Sequence, residues 1–159
     1  MPLRLFQRRV RESMQTDVVT VHAQDTVHDA LNRMLENKVS ALPVVDHRGH
    51  CVGILSIRDF VDMTNDLDVD FNETLHESEV WWSAFMRNLS ENVGERSVMD
   101  LMTEEVISVA ADDLLVDAAR TMLRQGVHRL PVVDGERRLT GIISTTDVLR
   151  AFVEAAPQP

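Results

Sequence analysis

The chain has 159 residues, 44% apolar and 26% charged, which places it among globular proteins and excludes disordered or fibrous classes. No apolar run approaches the roughly 20 residues of a membrane-spanning helix, and the first ten residues lack the apolar core of a secretory signal. A single cysteine, Cys51, excludes an internal disulfide framework and a cysteine-based zinc site and fits a reducing cytoplasm, while 16 basic against 26 acidic side chains, net −10, carry the wrong sign for a broad nucleic-acid surface.

Residues 1–9 form an N-terminal arm in which Arg4, Arg8 and Arg9, with Arg11 just beyond, cluster either as a solvated helix face or as a local anion contact. The β-branched run 18–21 predicts a strand, and Asp25 is placed to cap a following helix on whose apolar side Val27, Ala30, Leu31, Met34 and Leu35 recur at helical spacing. LPVVD (42–46) predicts a second strand with Pro43 near its start. A polar turn containing Gly49 follows, then a third strand over 52–55 and a helix over 57–63. The same order returns downstream: a strand at 106–109, Asp113 as cap, a helix carrying Leu115, Ala118, Ala119, Met122 and Leu123, LPVVD again at 130–134, a strand over 139–143 and a helix over 145–155.

That recurrence is a true internal repeat. Shifted by 88 positions, residues 10–59 match residues 98–147 without a gap, and 20 of the 50 positions are identical. Each copy reads β-α-β-β-α. Units of about 60 residues are marginal alone, so the pair is expected to pack as one pseudo-twofold α+β module. The divisions are an arm (1–9), motif 1 (10–63), an insert (64–97), motif 2 (98–152) and a C-terminal tail (153–159), with 10–152 as the module. The insert holds 2 basic and 8 acidic residues, so most of the chain's negative excess sits there. Its 64–77 stretch reads as loop or weak helix. Residues 78–93 predict a helix whose stripe of Trp82, Phe85, Met86, Leu89 and Val93, with Trp81 adjacent, either packs on the protein's own core or faces a partner.

The ordered segments VRESMQTDVVTV, DTVHDALNRMLENKVSALPVVD and GILSIRDF, and their counterparts VMDLMTEEVISV, GVHRLPVVD and GIISTTDVL, closely resemble the CBS-domain motif. Tandem CBS motifs form a Bateman module, so the resemblance implies two units in pseudo-twofold contact. It also implies a tendency to homodimerise and clefts between the repeats that bind AMP, ADP, ATP or S-adenosylmethionine as regulatory ligands.

Two residue sets follow from that resemblance. In each copy Gly-Ile-x-Ser-x-x-Asp closes the third strand, giving Gly53, Ser56 and Asp59, then Gly141, Ser144 and Asp147. Glycine permits close backbone approach. A carboxylate can accept both hydrogen bonds of a ribose cis-diol, and the hydroxyl stands at a helix start, where phosphate binds well. Ser-x-x-Asp at a helix start is equally the pattern of a capping box. The second set precedes LPVVD. Val39, Ser40, Ala41 and Pro43, and Val127, His128, Arg129 and Pro131, are implied to line the clefts. His128 and Arg129 can donate charged hydrogen bonds to phosphate where Ser40 and Ala41 cannot, and they resemble segments of the AMP-activated kinase γ subunit. Two unequal clefts are therefore expected, at least one of them taking a phosphorylated adenosine. Val18, Val19, Val106 and Ile107 are implied to sandwich adenine, or form a bare strand edge. The acidic Glu104-Glu105 pair disfavours phosphate if it faces a cleft.

Histidines 22, 28, 47, 50, 76 and 128 show no metal-ligand spacing, and no nucleophile elbow or P-loop is present. Repeats, insert and tails account for the whole chain, so the expected function is a stand-alone, non-enzymatic, cytoplasmic CBS pair. It would bind an adenosine nucleotide and act on a protein partner in trans, with no membrane or nucleic-acid role and no certain cofactor. The alternative is a ligand-free oligomerisation or scaffold module with vestigial clefts. Nucleic-acid binding through the arginine arm is a third reading, opposed by the net charge.

Overall fold

The computed structural model describes residues 3–61 and 79–156. The loop or weak helix expected over 64–77 lies outside them, as do the side chains of Trp81 and Trp82 and of Arg4. The elements are α1 (Leu3–Phe6), a 3-10 turn (Val10–Glu12), β1 (Val21–His22), α2 (Val27–Asn37), β2 (Ala41–Val45), β3 (Cys51–Ser56), α3 (Ile57–Val61), α4 (Glu79–Val93), α5 (Val98–Leu101), α6 (Leu115–Gln125), β4 (Arg129–Val133), β5 (Leu139–Ser144) and α7 (Thr145–Ala155). The fold is α+β. Among the described residues no helix is long and apolar enough to cross a membrane.

The residues gather into two compact units, each with its own core. One comprises Val19–His47 and Val52–Glu105, the other Met1–Val18, Arg48–Cys51 and Val106–Pro159. They are called here the first-repeat and second-repeat units. In the first, a three-stranded sheet runs β1-β2-β3, with β1 parallel to β2 through Val21↔Val44 and His22↔Val45. In the second, β4 and β5 pair antiparallel through Arg129↔Ser144, Leu130↔Ile143, Pro131↔Ile142 and Val132↔Gly141, with a bulge before Val133↔Leu139. β2 is buried along nearly its whole length, whereas β3 alternates buried with half-buried side chains, as a strand with one covered face does.

The repeat is visible in the cores. Val98, Val21, Val27, Ala30, Met34, Leu42, Val44 and Leu55 in the first-repeat unit correspond, at a shift of 88, to Val10, Val109, Leu115, Ala118, Met122, Leu130, Val132 and Ile143 in the second. The partition is crossed, because Val98 lies beside the first repeat's helix and Val10 beside the second's. The Val98 N–H donates to Asp25 O and that of Val10 to Asp113 O, both at 2.9 Å. The segment leading into each motif in sequence thus completes the other motif's unit, which alignment alone does not reveal.

The same segments terminate α2 and α6. The N–H groups of Val27 and Leu115, free donors of the first helical turn, donate to Arg96 O and Arg8 O at 2.8 Å. The expected aspartate caps are replaced. Thr26 caps α2 in a reciprocal box with Asp29, and Leu114 precedes α6 with no side-chain cap. Asp25 and Asp113 instead accept from the N–H three residues before them, His22 at 3.0 Å and Ala110 at 2.8 Å. These aspartates close the turn ahead of the helix.

Two further expectations change. The strand expected at 18–21 shortens to Val21–His22, and of 106–109 only Val109 pairs, in a parallel bridge to Val132. In the insert, Met86 and Leu89 of α4 are buried in the first-repeat core with Phe85 and Val93 packed beside them, so this part of the stripe covers the protein's own interior. Arg9 and Arg11 of the arginine arm are exposed and Arg8 is half-buried, and all three meet acceptors at the surface. Arg8 pairs with Glu154 at 3.0 Å, Arg9 donates to Asp112 O at 2.6 Å, and Arg11 pairs with the Asp112 carboxylate.

Candidate functional site

Ser56 with Asp59, and Ser144 with Asp147, stand where α3 and α7, the last helix of each motif, begin. In the second-repeat unit β5 ends at Ser144 and α7 starts at Thr145. Ser144 N–H and Oγ donate to Asp147 Oδ2 at 2.9 and 2.8 Å, and Asp147 N–H donates back to Ser144 Oγ at 3.2 Å. This reciprocal box satisfies donors of the first turn and fixes the carboxylate. Its other oxygen, Oδ1, accepts from Gln15 Nε2 and from Arg150 Nη1, each at 3.1 Å. Asp147 is 5% exposed, the single buried charged residue among those described.

β4 brings the second set alongside. Arg129 lies opposite Ser144 in the ladder, and the His128 carbonyl accepts from Thr145 N–H at 2.9 Å. His128, Arg129, Ser144 and Asp147 therefore share one end of the β4–β5 hairpin. The His128 side chain is exposed and that of Arg129 half-buried. Burial pulls the Arg129 guanidinium below its ordinary value, because a charge removed from water is disfavoured. Val18, Val106, Ile107 and Val127 are half-buried, with Ile107 and Val127 packed on the core, and Pro131 is buried within β4.

The first-repeat unit repeats the scheme with different chemistry. Ser56 N–H and Oγ donate to Asp59 Oδ2 at 2.6 and 3.1 Å, and Thr103 Oγ1 donates to Asp59 Oδ1 at 3.0 Å. The Ser40 carbonyl accepts from Ile57 N–H at 3.0 Å, as His128 does from Thr145. Val39 and Val19 pack on the core, Ser40 and Ala41 are half-buried, and Pro43 is buried in β2. The exposed pair Glu104 and Glu105 follows Thr103 directly in sequence, and the positions equivalent to His128 and Arg129 are Ser40 and Ala41, so the two units differ in the charge of the segments that reach their aspartates.

Gln15 and Thr103 were outside the candidate set, although they stand at equivalent positions, 88 apart, each following a methionine shared by both copies. The glycines that bring them in are Gly53 and Gly141. A Cβ at Gly141 would lie 2.8 Å from Gln15 O and 2.9 Å from Met14 Sδ, and one at Gly53 would lie 2.6 Å from Met102 Sδ and 3.0 Å from Thr103 O. The close approach that requires glycine is to these entering segments. It is held by Gln15 N–H to Ile142 O at 2.8 Å and Ile142 N–H to Gln15 O at 2.9 Å, with Thr103 and Ile54 paired alike.

A family model described as the CBS domain matches residues 9–65 and again 98–154. The uncharacterized protein MJ1426 of Methanocaldococcus jannaschii is 30% identical over 154 residues, covering 91% of this chain and 90% of its own. The chloroplastic CBS domain-containing protein CBSX2 of Arabidopsis thaliana is 33% identical over 138 residues, 84% of this chain and 58% of the relative, so the match spans little over half of that protein. Among solved structures, CBSX2 in complex with AMP superposes with a TM-score of 0.70 at 32% identity, covering 92% of this chain and 96% of the other. The CBS domain of a membrane protein from Sphaerobacter thermophilus gives 0.70 at 30%, covering 94% and 90%.

Proposed function

This chain belongs to the CBS-domain family, and we propose that it is a regulatory module that binds an adenosine nucleotide of the AMP, ADP or ATP type and acts on a protein partner in trans. One observation carries the reading. In the second-repeat unit a fixed carboxylate, Asp147, stands at a helix start beside His128 and Arg129. That combination offers acceptors for a ribose diol and cationic donors for a phosphate within one hairpin end. CBSX2, solved with AMP, is the relative that supports it. Ser144 and Asp147 would hold the ribose and His128 and Arg129 the phosphate. In the first-repeat unit Ser56 and Asp59 would hold a ribose without cationic help from Ser40 or Ala41. Val18, Val19, Val106 and Ile107 would border the base. S-adenosylmethionine, which carries no phosphate, suits the first-repeat set better.

A ligand reports its presence only if it binds one arrangement of the protein better than another. The segments carrying Gln15 and Thr103 touch both the candidate aspartates and the edge of each sheet, so they are the elements through which occupancy would be read. Calorimetric titration with AMP and adenosine tests the proposal. AMP should bind more tightly than adenosine, and His128→Ala, at an exposed side chain that leaves the fold intact, should remove most of that difference. No heat from AMP, ADP or ATP at millimolar concentration would overturn it.

A ligand-free scaffold is the second reading, and one observation favours it: the donors already seated on Asp59 and Asp147 make both carboxylates structural. It predicts no thermal stabilisation by any adenine nucleotide.

A further inference from the structure

Asp147 presents two oxygens with about four acceptor positions, and four donors occupy them: Ser144 N–H and Oγ on Oδ2, Gln15 Nε2 and Arg150 Nη1 on Oδ1. The Ser144 pair belongs to the helix cap and cannot leave without opening the first turn of α7. A diol that approaches this carboxylate must therefore displace a donor from Oδ1. Arg150 is largely in water, with a side chain 56% exposed, and can swing aside at little cost. Gln15 is different. Its side chain is also exposed, but its backbone is pinned to Ile142 on both N–H and carbonyl, which holds the root of this shorter side chain within reach of Asp147. At the equivalent place in the other unit Asp59 meets three donors, and its partner Thr103 is a hydroxyl, which can go on donating to the carboxylate while accepting from a diol.

We propose that Gln15 is an affinity-setting residue, an internal competitor whose side-chain amide occupies the ribose position on Asp147 and must be displaced when an adenosine ligand binds the second-repeat unit. The inference rests on the nucleotide reading above and adds a residue outside the candidate set derived from the sequence. Gln15 weakens binding, so its removal should strengthen it.

The test is calorimetric titration of the full chain with AMP and with adenosine, comparing wild type with Gln15→Met, which keeps the length of the side chain and removes its donor. A displaced hydrogen bond to a carboxylate at an exposed side chain corresponds to roughly 3–13-fold in affinity. Gln15→Met is expected to tighten AMP and adenosine by the same factor in that range, since the ribose is common to both. In an Asp147→Asn background the gain should vanish, as a double-mutant cycle on a direct contact requires. Unchanged or weaker binding in Gln15→Met overturns the proposal, as does a gain confined to AMP, which would place Gln15 at the phosphate. Wild type that binds nucleotide with Gln15→Met indistinguishable from it leaves the nucleotide reading standing and removes this one. Absence of binding by both proteins overturns both.

Discussion

Replacing Asp147 by alanine removes three kinds of contact, and their sizes can be added from the geometry. The reciprocal cap with Ser144 is worth about 1 kcal/mol. The Gln15 amide loses a charged acceptor, a bond worth about 1.5 kcal/mol at the lower end of its class because Gln15 reaches it from solvent. The Arg150 pair adds little, since more than half of that side chain is in water. The sum is about 2–3 kcal/mol, which for a chain of this length lowers Tm by roughly 5–10 °C. Asp59→Ala loses a cap and one hydroxyl bond at a half-buried site and should cost less, about 1–2 kcal/mol. Urea unfolding of the ligand-free variants, read by circular dichroism, measures both. A loss under about 1 kcal/mol for Asp147→Ala, or a larger loss for Asp59→Ala, would refute the assignment of structural work to the Asp147 bond network.

Gly141→Ala should destabilise the second-repeat unit by about 1–3 kcal/mol in the same urea assay, because its Cβ would meet a backbone oxygen that the Ile142 ladder holds in place. Arg137 adopts φ 64° where its repeat partner is Gly49 at φ 83°, so Arg137→Gly should raise stability by about 0.5–1 kcal/mol, measured as a higher Tm. Gly126→Ala, at φ 65°, should cost about 1 kcal/mol by the same reasoning, with open space around the new methyl leaving backbone strain as the sole cause. Leu89→Ala on α4 should cost about 2–5 kcal/mol in urea, since that side chain is 3% exposed within the first-repeat core.

How much of this was legible in the sequence depended on the range of the interaction. Periodicity located α2, α6 and α7, and the β-branched LPVV runs located β2 and β4, because those signals are local. The aspartates ahead of α2 and α6 were assigned the wrong bond. A carboxylate there can reach forward to the helix or back to the turn, and spacing does not choose between them. The exchange of entering segments was invisible for a different reason. Two copies that share the positions of Val10 and Val98 have equivalent places to put each valine, and a one-dimensional comparison assigns each to its own copy. The Ser-x-x-Asp pattern at 56–59 and 144–147 marks a bonded box at a helix start, as the structure shows. Gln15 and Thr103 were missed because they differ in side chain, and what they share is a distance to a carboxylate many residues away.

Duplication placed nearly the same core in both units and left the rims to diverge. At eight core positions the residue in one unit has an apolar counterpart in the other, so substitution there is limited by packing density. No such limit applies at the helix starts. One aspartate keeps a hydroxyl donor from a segment that continues into Glu104 and Glu105, the other an amide donor and the guanidinium of Arg150, at the hairpin end that carries His128 and Arg129. A phosphate dianion placed near Glu104 and Glu105 meets like charge, whereas beside His128 and Arg129 it meets donors. On the proposed reading such a difference would separate ligands by charge, while both units retain one way of fixing a carboxylate. It also sets two demands on Asp147 that conflict. On the proposed reading, the more firmly the carboxylate is held by Gln15 and the cap, the more stable the unit and the weaker its hold on a diol would be, so affinity for a ligand and stability of the empty protein would move in opposite directions at this position.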